Sequence, residues 1–222
     1  MKASIIKKSL VCALTAALVM APVMGVSAKT TVTPSPSVSG NSAAAVVTQA
    51  TGTTTVAQAV AAVATTSSVN GVKSTVSGAF VVKKVDGVAF TTPLADIVAG
   101  YGIGAGEKAY AMVWDLDPKK SNLAQAVIDA AAASIGAEVG PALNIELGKK
   151  AGGKYTLLSQ EGPAVRIAIG IPKSFAQDGK TFAVIRVRPG GAVSILEDVD
   201  TNPNTVTFDT TGGAGAYAIV KY

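Results

Sequence analysis

The chain contains no histidine, and its one cysteine is Cys12. Without histidine there is no imidazole to activate a serine or cysteine nucleophile, and the commonest nitrogen ligand for a metal is missing. With a single cysteine there is no intramolecular disulfide and no thiolate cluster. Aromatic residues make up 5% and charged residues 15% of the 222 residues, so composition promises neither a wide stacking surface nor a dense charge field. Carboxylate, lysine and tyrosine are the groups left for acid–base chemistry.

The first residues have the form of a secretory leader. Lys2, Lys7 and Lys8 precede an apolar run from Leu10 to Val19, and Val26-Ser27-Ala28 places small residues at a cleavage site. The run is shorter than the roughly 20 apolar residues of a membrane span. The expectation is a signal peptide over 1–28 and a mature chain from Lys29, secreted or held non-covalently at the cell surface, with no membrane segment after cleavage. Cys12 falls inside the leader, and Ser9-Leu10-Val11 lacks the small residue that precedes a lipidated cysteine. Cleavage leaves 194 of the 222 residues, enough for a core that needs no disulfide. It also removes three of the 19 basic residues, leaving 16 against 14 acidic ones. A balance of +2, spread along the chain, does not suit nucleic acid.

Residues 29–69 form a Ser/Thr/Ala-rich spacer. "TTVTPSPSVSGNS" has too little apolar bulk to offset its ordering entropy, while Val56, Val60 and Val63 allow one short helix. A β-rich domain is expected over 70–222. "GAFVVKKVDGVAFTTPL" reads as a hairpin about Asp86-Gly87, and "AYAMVW" (109–114) as a strand. "SNLAQAVIDAAAASIG" is a helix with Leu123, Val127, Ala131 and Ile135 on one face and Ile128 beside them. Asn122 with Gln125 caps its start, and Gly136 ends it. Period-two alternation follows, with Leu143, Ile145 and Leu147, then Val165, Ile167, Ile169 and Ile171, each set on one face. The fold class is mainly β, an antiparallel sandwich or curved sheet carrying one alanine-rich helix.

The stretch "KTFAVIRVRPGGAVSILEDVDTNPNTVTFDTTGGAGAYAIVKY" resembles the terminal β-module of many secreted and surface proteins of Gram-positive gut bacteria. In such modules a strand like 182–187 passes a glycine turn, and an acidic D-x-D stretch precedes a T-x-T-F strand and a final Y-A-I strand. Asp198, Asp200, Thr205 to Phe208 and Tyr217 to Ile219 occupy those places here, and the likeness extends back to Ala137. Arg188 stands where such modules often carry histidine, and Gly213-Ala214-Gly215-Ala216 replaces a Phe-Ser approach to the last tyrosine. The resemblance implies an extracellular compartment and no particular reaction.

Three stretches have the residues of a chemical site. "GYGIGAGEK" (100–108) is glycine-rich, but Glu107 precedes the lysine, Ala109 follows it and a strand continues, so a phosphate loop is not formed; a turn is expected. "EDVDTNPN" sets Asp198, Asp200, Asn202 and Asn204 in alternation, with Asp209 at position twelve, the oxygen spacing of a calcium loop. Pro203 occupies the position that requires glycine, so a turn is the first reading and a weak calcium site the second. "WDLDPKK" sets Asp115 and Asp117 beside Trp114, the minimum for a glycosidase if another carboxylate such as Glu161 faces them. The plainer reading is a strand exit whose carboxylates lead into a helix N-terminus. Among the eleven aromatic residues, Phe90, Tyr101, Trp114 and Tyr155 are the ones whose places near strand ends allow exposure.

Three functions follow, in order. The first is a non-catalytic secreted or surface accessory protein that contacts wall polymer or another extracellular protein. The second is a carbohydrate- or wall-polymer-binding module, which requires a flat aromatic patch around Trp114 and Tyr155. The third is a carboxylate-based glycoside hydrolase using Asp115 and Asp117. No cofactor is called for by any of them.

Overall fold

The computed structural model describes residues 64–222, which belong to one compact unit. The leader over 1–28 and the short helix about Val56, Val60 and Val63 lie outside the described residues. Packing is already present ahead of the expected start at residue 70, because Val69 is 2% exposed and Ala64 bridges to Phe80.

The fold is mainly β. A small antiparallel pair, β1 (Ser68–Val69) and β2 (Val72–Lys73), opens the described chain. A seven-stranded sheet contains β3 (Gly78–Val81), β5 (Lys108–Asp115), β6 (Glu138–Ala151), β7 (Lys154–Leu157), β9 (Phe182–Val187), β10 (Val193–Glu197) and β12 (Gly213–Lys221). Its order is β10-β9-β12-β6-β5-β3, and β7 continues the β12 side of β6 beyond Leu147. A three-stranded sheet has the order β11-β8-β4, from β4 (Val88–Phe90), β8 (Val165–Gly170) and β11 (Thr205–Thr210). All pairings are antiparallel except β3 with β5, and none of the described sheets closes into a barrel.

Alternation sets the core between the two sheets. Leu143, Ile145 and Leu147 of β6 face Val165, Ile167 and Ile169 of β8, and all six are buried. Phe208 of β11 stacks on Tyr217 of β12 with ring centroids 5.8 Å apart, tying one sheet to the other.

Asp86-Gly87 does not make a hairpin. β3 pairs with β5 in one sheet and β4 with β8 in the other, so the dipeptide carries the chain across the sandwich. Phe80 and Phe90 then enter the same core from opposite sides. Gly87 has φ 101°, and a Cβ there would collide with the Ser68 carbonyl oxygen, which accounts for glycine at this crossing.

A second helix within 70–222 was not expected. α1 (Leu94–Gly100) follows Pro93 and buries only Ile97, too short a repeat to register as periodicity. The alanine-rich helix, α2 (Asn122–Ser134), packs on β9, β6 and β12. Its buried stripe is Ile128 and Ala132, with Ala124, Val127 and Ala131 beside them, whereas Leu123 is 80% exposed. The expected face was thus rotated toward larger residues. The observed one puts small side chains against Ala142, Ala183, Ala216 and Ala218, which allows close approach. Ser121 is the N-cap residue and the Asn122 side chain accepts only from the Leu123 N–H, so the expected Asn122–Gln125 cap does not form. Gly136 does end the helix at φ 67°, with the Ala137 N–H bonded to the Ala132 carbonyl as in a Schellman motif.

Candidate functional site

Strand β5 inverts the usual pattern. Its small residues Ala109, Ala111 and Val113 face the core, while Tyr110, Met112 and Trp114 face the other way. On β6 the same alternation turns Asn144, Glu146, Gly148 and Lys150 away from the core. Register then sets Trp114 beside Asn144, Met112 beside Glu146 and Tyr110 beside Gly148, while Tyr155 of β7 lies beside Lys150. Val81 of β3, paired with Trp114, extends this face on the other side. α2 covers the β9, β12 and early β6 part of the same sheet face. The β5–β7 part carries Trp114 at 36%, Val81 at 44% and Leu157 at 46% exposure.

The two tyrosines form a corner on this surface. Their centroids are 6.1 Å apart at 72°, and the Lys150 Nζ sits 3.5 Å from the Tyr110 centroid as a cation–π contact. Gly148 makes room for the Tyr155 ring, because a Cβ there would overlap the ring and come within 2.6 Å of the Thr156 carbonyl oxygen. The Tyr155 hydroxyl is buried and has no partner among the described residues. Burial first, then the Glu146 charge, holds that hydroxyl above its usual pKa. Burial also raises the Glu146 carboxyl, and Glu146 joins none of the ion pairs among the described residues.

Trp114 and Tyr155 therefore lie on one sheet face, with the Tyr155 ring edge-on to Tyr110 rather than coplanar with it. Tyr110, Glu146 and Asn144 complete it and were not singled out from sequence. Their signal was legible in the two alternations, above all in a strand whose bulky members alternate against alanine. Phe90 and Tyr101 are not part of it. Phe90 is fully buried, and the Tyr101 hydroxyl donates to the Pro163 carbonyl and accepts from the Gly212 N–H.

The remaining candidates are engaged locally. Asp115 ends β5, and its carboxylate accepts the N–H groups of Lys83 at 3.0 Å and Lys84 at 3.2 Å. Asp117 accepts the Lys119 N–H and lies 4.0 Å from the Lys120 Nζ. The strand stops at Asp115 and buried Leu116 follows, so the two carboxylates do not continue along one strand face. Glu161 is exposed in the loop after β7, its own N–H donating to Ser159 Oγ. In the glycine-rich stretch Glu107 accepts the Gly104 N–H and pairs with Lys149 at 2.8 Å, so a carboxylate fills the turn. Gly102 and Gly106 supply its positive φ angles.

Comparison with family models, curated proteins and solved structures returns no match.

The 198–209 stretch forms successive Asx turns. Asp198 accepts from Asp200 and Thr207, Asp200 accepts from Asn202, and Asn202 accepts from Asn204. The Asn202 carbonyl accepts the Thr205 N–H, closing the turn expected around Pro203. Desolvation raises the Asp198 carboxyl above its usual range. Asp209 is not brought to this loop: strand β11 carries it about 13 Å beyond Thr205. There its carboxylate binds the Arg166 guanidinium through two contacts of 2.9 Å, which lower its pKa. No group of three or more Asp, Glu, Cys or His converges among the described residues.

Proposed function

We propose that the protein is a secreted, non-catalytic binding module that holds a glycan chain of a wall or extracellular polymer on the open β5–β7 face. The observation that carries this reading is one surface on which Trp114, Tyr110 and Tyr155 lie around Glu146 and Asn144. Sugars offer apolar C–H faces that pack on aromatic rings, and hydroxyls that exchange hydrogen bonds with a carboxylate or carboxamide. Tyr110 and Trp114 lie about 13 Å apart along β5, long enough to span a short run of sugar rings. Glu146 is the one carboxylate in this set, whereas glycoside hydrolysis requires two across the scissile bond. Asp115 and Asp117 are tied into turns, which also favours binding over hydrolysis.

The test is co-sedimentation of the purified protein with cell-wall sacculi and with insoluble polysaccharides, with calcium and with chelator. Saturable pelleting with one polymer, unaffected by chelator and weakened about tenfold or more by Trp114→Ala, is expected from the loss of one well-packed aromatic anchor. No pelleting, or pelleting that ignores Trp114→Ala and Tyr110→Ala, would remove the open face from consideration and leave a protein partner.

A further inference from the structure

Arg186 and Arg188 flank Val187 at the end of β9. Val187 faces the α2 side, so both arginines project to the opposite side, into the gap between the sheets, where Tyr217 is the neighbour of Arg186. Arg188 is 8% exposed, and Arg186 is half-buried. Buried charges are ordinarily paired, yet neither guanidinium joins an ion pair among the described residues. Arg186 donates to Thr210 Oγ1 and Ser194 Oγ, both at 3.0 Å. Arg188 donates to the Gly212 carbonyl at 3.0 Å and to Thr211 Oγ1 at 2.6 Å. Every acceptor is neutral.

Each guanidinium has five N–H groups, so most remain without a protein acceptor in these contacts. The Arg186 Nε–H in particular is buried and unpartnered among the described residues. Burial first, and then the nearby Arg188 charge, depress the Arg186 pKa. A plug for the end of the sandwich accounts for the four hydrogen bonds but not for the charge, since neutral side chains of similar size would fill the space without desolvating two cations.

We propose that Arg186 and Arg188, with the hydroxyls of Ser194 and Thr210 beside them, form a binding site for a tetrahedral oxyanion of the phosphate or sulfate type. The two residues are about 7 Å apart along the strand, a separation one tetrahedral anion bridges between two planar forks. Arg186 retains a solvent-facing side, and the exposed Pro189–Gly191 turn lies next to Arg188, which gives the anion a way in. The oxyanion is either a free ion or the phosphate group of an anionic polymer. This site stands apart from the open face and does not depend on the glycan reading.

The experiment follows the arginine Nε–Hε resonances of the purified protein during titration with inorganic phosphate, with sodium chloride at matched ionic strength as control. The Arg186 and Arg188 signals are expected to shift saturably with phosphate and not with chloride. Arg186→Met is expected to weaken binding about tenfold or more, the effect of losing a charge-assisted bond. The wild-type titration stands without that variant should it fold poorly. Poly(glycerol phosphate) is titrated in parallel: saturation at a lower phosphate concentration than the free ion assigns the polymer, and a response to inorganic phosphate alone assigns the free ion. Signals that stay put in both, or that move equally in chloride, overturn the proposal.

Discussion

Replacing Asp115 by alanine separates a carboxylate that builds the fold from one that performs chemistry. The chain leaves β3 at Val81 and must turn over the end of β5 before crossing to the second sheet. The Lys83 and Lys84 N–H groups, unpaired by any strand at that turn, are received by the two Asp115 oxygens. The arrangement resembles a helix N-cap, whose removal costs about 0.5–2 kcal/mol. Two charged acceptors place Asp115→Ala near the upper end, about 2 kcal/mol, tempered because water reaches these exposed groups. With a urea dependence of about 2 kcal/mol per molar for a domain of this size, the midpoint should fall by about 1 M. Asp115→Asn keeps one acceptor and aims an NH₂ at the other N–H, so it should cost at least half as much. Far-UV circular dichroism in urea reads the midpoint, and amide hydrogen exchange reads Lys83 and Lys84 directly, which should lose protection in both variants. An unchanged midpoint together with unprotected Lys83 and Lys84 amides in the wild type would refute the reasoning and return Asp115 to the catalytic candidates.

Three further outcomes are expected. Glu146→Gln should raise stability at neutral pH, because burial raises the native carboxyl above its unfolded value. The wild type should gain stability as pH falls through that raised value toward about 4.3, the unfolded value, and this gain should vanish in the variant when thermal melts are compared across pH. Asp209→Asn should lower stability slightly at pH 7, since Arg166 holds the native Asp209 pKa below its unfolded value. That contribution is present above about 3.9 and is lost as pH falls through the native value, so the two proteins should converge in acid; a constant gap would contradict the ion pair. Gly148→Ala should cost about 1–3 kcal/mol by overpacking and should weaken polymer pelleting, because the new methyl displaces the Tyr155 ring and presses on the β7 backbone. Retained stability with retained pelleting would show that the ring does not lie over Gly148.

The sequence by itself determined the apolar faces of β6 and β8, but not that of β5, whose bulkier residues turn outward. Leu143, Ile145 and Leu147, and Val165, Ile167 and Ile169, are buried as their period-two spacing requires, since alternate side chains of any strand leave on opposite sides. It also marked the end of α2, because Gly136 can take the positive φ of a helix terminus without steric cost. Only the tertiary structure decided where the strands go. Asp86-Gly87 bends the chain equally well into a hairpin or across a sandwich, and the choice belongs to β5 and β8, distant in sequence. The same holds for the site. Tyr110, Trp114 and Tyr155 share a surface only because β6 pairs with both β5 and β7 in one register, and a shift of one residue would turn them into the core. Asp115 and Asp209 have the composition of reactive or metal-binding groups, but their partners, Lys83, Lys84 and Arg166, are 31 to 43 positions away and reach them only through folding.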